Sequence, residues 1–96
     1  MVVLDNPDKY VFLRFEVNDK GIQKYKAILL NTETNNEVTV KFGHKKYQQY
    51  KDLTGIGAYS DLDHNDERRR ELYRKRHAKE KDIRFSSGWF TYHYLW

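Results

Sequence analysis

One stretch carries most of the side chains capable of chemistry: LDHNDERRRELYRKRH, Leu62 to His77. A histidine beside carboxylates can hold a divalent cation and activate water for phosphodiester cleavage. His64 and Asp66 are the candidates for such a metal-dependent nuclease. The spacing argues against it. His64 and His77 lie thirteen residues apart, whereas two imidazoles share a helical face at i, i+4. His44 and His93 would have to reach the site through the fold. Nucleophilic catalysis has less support still. Ser60, Ser86 and Ser87 fall in turn-forming segments with no G-x-S-x-G elbow around them. Gly55-Ile56-Gly57 lacks the Lys-Ser/Thr that completes a phosphate-cradling loop. The expectation is no catalytic residue, no metal site and no cofactor.

Binding chemistry is better supplied. From Arg68 to Lys81 there are eight Lys or Arg residues and two Glu, a local charge of +6. Arg68, Arg69, Arg70, Arg74, Lys75 and Arg76 are the candidate nucleic-acid contacts. Consecutive arginines span nearly all azimuths of a helix, so Arg68, Arg69 and Arg70 cannot all enter one groove. Neutralising about four phosphates would give a salt slope near −3.6, which means weak and sequence-blind binding. A charge run is also commonly just a solvated helix face. The second binding candidate is the C-terminal segment FSSGWFTYHYLW. Its Trp89, Phe90, Tyr92, Tyr94 and Trp96 are the ring types that anchor protein interfaces or stack on single-stranded bases. The competing expectation is that these rings complete the chain's own core.

The elements that must position these groups follow from hydrophobic periodicity. Residues 1–9 read as an arm, with Pro7 among the turn formers Asp5, Asn6 and Asp8. Residues 10–96 read as a single domain. In YVFLRFEV, Val11, Leu13, Phe15 and Val17 alternate onto one face. IQKYKAILL places Tyr25, Ala27 and Leu29 together, and EVTVKF does the same with Val38, Val40 and Phe42. The turns NDKG and NTETNN join these strands into an antiparallel meander. Tyr47 and Tyr50, three apart, predict one or two helical turns. Asp63 or Asn65 is expected to cap a main helix from about Asp66 to Lys79. Acids gather at its N-terminal end and bases at its C-terminal end, as the helix dipole favours. Its row Arg69, Leu72, Tyr73, Arg76 and His77 contains only two apolar members, so the buried stripe is narrow. Ser86-Ser87-Gly88 reads as a turn, and the aromatic tail as a fourth strand or a terminus that inserts into a partner.

The predicted class is therefore α+β: a small antiparallel sheet of three or four strands with one main helix packed on one face. Size supports this. Ninety-six residues make one domain with one modest core. Eight Tyr, five Phe and two Trp supply much of the area to bury. The net charge of +4 and pI near 9.3 permit an acidic partner without demanding one. With no cysteine, disulfides and thiolate chemistry are excluded. No signal-like N-terminus and no apolar run near the ~20 residues of a membrane span is apparent.

From Lys24 onward the sequence resembles a small domain family of unknown function from large DNA viruses of algae and amoebae. The residues that carry the likeness are Lys24-Tyr25-Lys26, Phe42-Gly43, Tyr47, Tyr50, Asp52, Thr54-Gly55 and YSDLDHND. Arg69-Arg70, Leu72-Tyr73, Arg76-His77, Ser87-Gly88 and Tyr94-Leu95-Trp96 complete it. They cover about three quarters of the chain, leaving out the strand Tyr10 to Val17. The resemblance carries no catalytic residues over. It implies a viral setting: a non-enzymatic structural or assembly protein, as a minor capsid or other virion component, with other virion proteins as partners. The alternative is a genome-associated protein that meets DNA through the basic helix. The implied location is the virion, or the cytoplasm or nucleus of the infected host cell.

Overall fold

The computed structural model describes residue 4 and residues 6–96. Met1, Val2, Val3 and Asp5 of the expected arm lie outside the described residues. The rest of the arm is docked. Pro7–Lys9 forms a single 3-10 turn in which Asn6 Oδ1 accepts from Asp8 N. Lys9 O then accepts from both the amide and the hydroxyl of Thr32.

Three strands, β1 (Tyr10–Val17), β2 (Gln23–Asn31) and β3 (Glu37–His44), form the antiparallel meander in the order β1-β2-β3. The α+β class and the expected core faces of β2 and β3 hold. Tyr25, Ala27, Leu29, Val40 and Phe42 are fully buried together. In the first hairpin turn, Gly21 adopts φ +85, and the Asn18 side chain bonds to Lys20 O and Gln23 O.

β1 departs from simple alternation. The register against β2 shifts between Phe12 and Arg14, leaving Leu13 as an extra residue. A bulge moves every residue before it to the opposite face. Phe12, not Val11, joins Phe15 and Val17 on the core side, 4.7 Å from the Phe15 ring. Val11 and Leu13 point outward and are exposed.

The helix on the sheet is not the one the charge pattern suggested. α1 (Glu67–Arg76) buries no residue. The aromatic tail, expected as a strand or free terminus, is instead α2 (Ser87–Tyr94), with Phe90 and Tyr92 buried. Ser86 makes this possible: its hydroxyl caps the helix by accepting from Trp89 N at 3.0 Å. A strand would have shown rings on two faces, whereas the aromatic core of this sheet lies on one. As a helix, the same segment lays Phe90 on Phe42 (5.4 Å, stacked) and Tyr94 on Phe15 (4.8 Å, edge-on). Gly43 is what lets it approach. It sits at φ +73, and a Cβ there would come within 2.8 Å of Leu95 Cδ1.

The start of the segment after β3 also differs from expectation. Tyr47 and Tyr50 do not start a helix; the segment is irregular apart from a 3-10 turn at Ser60–Leu62, with a parallel bridge between Gln49 and Asp63. Its amides at Tyr50, Lys51 and Leu53 donate to the carbonyls of Leu95 and Tyr94, which ties the loop to the end of α2.

Candidate basic–aromatic cleft

Asp66, rather than Asp63 or Asn65, caps α1. Its carboxylate accepts from Arg68 N (3.0 Å) and Arg69 N (3.2 Å). Asn65 instead turns the chain at φ +54. Asp63 belongs to a buried polar hub. The Lys24 ammonium, 1% exposed, donates to Tyr47 O (2.8 Å) and Gln49 Oε1 (2.6 Å). Gln49 passes the chain on, donating to Tyr59 O and to Asp63 Oδ1. Asp63 Oδ1 also accepts from Asp52 N. Asp52 in turn accepts from Thr54 through Oδ1 and from the Tyr25 hydroxyl through Oδ2. Burial lowers the Lys24 pKa to about 8, against the pull of Asp52, Asp63 and Asp61. Burial and the bond to Asp52 push Tyr25 up to about 12. The hub engages its charged groups in internal hydrogen bonds, so they fasten the loop to the sheet.

The nuclease candidates are similarly engaged. His64 Nδ1 accepts from Asp66 N at 2.9 Å, so the ring proton sits on Nε2. Nε2 is buried with no hydrogen-bond partner, between the rings of Tyr50 and Trp96. Burial and the Arg69 charge lower the His64 pKa, which favours the neutral ring. Asp66 spends its carboxylate on the cap. Among the described residues, no group of three or more His, Asp or Glu side chains gathers as a metal site. His93 bonds to Lys81 O instead.

The six basic candidates of α1 divide into three sets. Arg70 and Arg74 are turned inward. Arg70 Nε donates to Trp96 O at 2.9 Å and Arg74 Nη2 to the same oxygen at 3.2 Å. Their guanidinium groups lie 4.8 Å from the Tyr50 ring centre and 4.6 Å from that of Tyr92. These two arginines pin α1 to the end of α2. Lys75 pairs with Glu71 across one turn, and Arg68 projects into solvent beside it. Arg69 and Arg76 face the other way. They border an open cleft of about 710 Å³ between α1 and the β2–β3 end of the sheet.

That cleft is the candidate site. Phe42, Gly43 and Leu95 form its floor. Tyr73 and Trp96 form one wall, stacked 4.2 Å apart and nearly parallel. Tyr47, stacked on His44 at 4.4 Å and 67% exposed, also borders the cleft. Three Lys or Arg side chains outside the hub (Lys46, Arg69, Arg76) line it against one carboxylate, Glu80, while Lys24 lies beneath with its ammonium engaged in the hub. Glu80 itself contacts His77 Nδ1 at 3.1 Å. Arg69 Nη1 donates to Gln48 Oε1, a neutral partner that leaves its charge uncompensated. The arrangement offers aromatic faces and unneutralised cations to a ligand, and no activated nucleophile.

The sequence pointed to Arg69 and Arg76 on one row. It gave no sign that Lys24, His44, Lys46, Tyr47 and Gln48 would join them; the fold brings these in from β2, the end of β3 and the loop after it. The tail rings nominated for a partner are placed inward. Phe90 and Tyr92 are buried in the core; Trp89, Tyr94 and Trp96 are half-buried and pack against it, and Trp96 also walls the cleft. No helix of the described residues is long and apolar enough to cross a membrane. Comparison with protein-family models, with curated proteins and with solved structures returns no match to this chain.

Proposed function

We propose that the protein is a non-enzymatic, genome-associated binding component that contacts nucleic-acid phosphates through α1 and the segment after it. One observation carries this reading. Once internal pairing is complete, Arg68, Arg69, Arg76, Lys79 and Lys81 have no carboxylate partner among the described residues. Cations left uncompensated in one region attract a polyanion and release its counterions on binding. The groups that could do catalysis, by contrast, are engaged in caps and in the hub. The viral setting rests on the sequence resemblance alone.

The test is fluorescence anisotropy with labelled DNA across a salt series. Measurable binding at low salt that weakens steeply as salt rises supports the reading. No binding at low salt ends it.

A second reading, a minor capsid or other virion assembly component, is favoured by a different observation. Among the described residues, Val11 and Leu13 stand exposed on the outer sheet face near Leu30. Cross-linking and mass spectrometry on purified particles separate the two readings. Links from Lys26 and Lys41 on the outer face to capsid proteins favour assembly. Links from Lys46 and Lys79 to DNA favour the genome.

A further inference from the structure

We propose that the cleft holds one unstacked nucleobase of a single strand against the Tyr47 ring, with the adjoining phosphates on Arg69 and Arg76. This rests on the nucleic-acid reading and narrows it to single strands.

The volume of about 710 Å³ suits a nucleotide-sized guest, since small-ligand sites run from roughly 300 to 1,000 Å³. Tyr47 is the feature that calls for one. A tyrosine left 67% exposed would ordinarily be free to move. Here one face of the ring is held 4.4 Å from His44 at an interplanar angle of 23°. The ring is otherwise exposed and borders the cleft, where it can serve as a platform. Bases stack on such platforms without regard to sequence, because every base has a π-face.

The cations are set to take the flanking charge. Arg69 and Arg76 are seven residues apart, two helical turns or about 10 Å along α1. Both open on the same cleft. Arg76 has no ion-pair partner among the described residues, and Arg69 has only the neutral Gln48 oxygen. Arg70 and Arg74, on the far side, are held by Trp96 O and take no part. Paired bases in a duplex keep their faces stacked on one another, so Tyr47 could engage only a strand that has been opened.

The experiment compares a short labelled oligothymidylate with a blunt duplex of equal length, by anisotropy at low salt. It uses the wild type, Tyr47→Ala and Tyr47→Trp, with melting curves to confirm folding. Tighter binding of the single strand is expected. Tyr47→Ala should weaken it roughly tenfold with little effect on the duplex, and Tyr47→Trp should preserve it. If both DNAs bind but Tyr47→Ala changes neither, or if the duplex binds more tightly, the cleft proposal is overturned while the basic-helix reading survives. If neither DNA binds, both fall.

Discussion

The two helices of this chain have opposite characters. α2, eight residues long, buries Phe90 and Tyr92 and closes the core over the sheet. α1, ten residues long, buries nothing and is held at its edges by Arg70, Arg74 and the Tyr73–Trp96 stack. Stability therefore resides in the short aromatic helix and its buried surroundings. The long charged helix is left with side chains to spend on a partner. Length and charge order made α1 look like the principal packing element, yet burial assigns that role to α2.

The sharpest way to break this contrast is to truncate one side chain on each helix. Phe90→Ala should cost about 3–5 kcal/mol, a large share of the roughly 5–15 kcal/mol that holds a domain of this kind together. Leu72→Ala, on the exposed side of α1, should stay within about 0.5 kcal/mol. Denaturant titration of the two variants measures both; similar losses would erase the distinction.

The alkaline stability profile probes the buried side next. Lys24 titrates at about 8 when folded and near 10.5 when unfolded. Between those values the unfolded chain holds the extra proton, so stability should rise with pH across that window. Tyr25 acts in the opposite sense. Its pKa moves from 10.0 to about 12 on folding, so stability should fall as pH passes from about 10 towards 12. Burial raises Tyr73 as well and deepens the fall. Melting temperatures taken from pH 7 upward should pass through a maximum. Lys24→Met should remove the rise and leave the fall.

Gly43→Ala tests how closely α2 is seated. The added methyl meets Leu95 Cδ1 at 2.8 Å, at a backbone φ of +73. Overpacking of this kind costs about 1–3 kcal/mol, read as a lowered melting temperature. A smaller loss than at Gly43 is expected at Asp66→Ala. It removes the two cap bonds of α1, worth about 1 kcal/mol, and should lower helicity without loosening the aromatic core. Near-ultraviolet circular dichroism distinguishes these two outcomes.

These contrasts also explain what could be read from the sequence. The three strands were legible because one face of the sheet is buried, and burial on one face imposes alternation. The Leu13 bulge was not, since Val11 and Leu13 are as apolar as the residues they displace. α2 was hidden by composition: aromatic residues favour strands, and eight positions give only two turns of period. Ser86, three residues before the amide it caps, was the available signal. The Tyr47–Tyr50 spacing misled because a three-residue interval also occurs in irregular chain. Arg69 and Arg76 could be paired from helical spacing. The remainder of the cleft is built by long-range contacts, such as Lys24 with Gln49, that no local pattern encodes.

The division of arginines on α1 is the point on which the functional account turns. Binding of a labelled single strand should be followed against salt for the wild type, Arg76→Ala and Arg70→Ala. Each lost phosphate contact should flatten the log–log slope by about 0.7. The account predicts that change for Arg76→Ala, and an unchanged slope with a lowered melting temperature for Arg70→Ala. Equal slopes for all three proteins, or a flattening confined to Arg70→Ala, would contradict it.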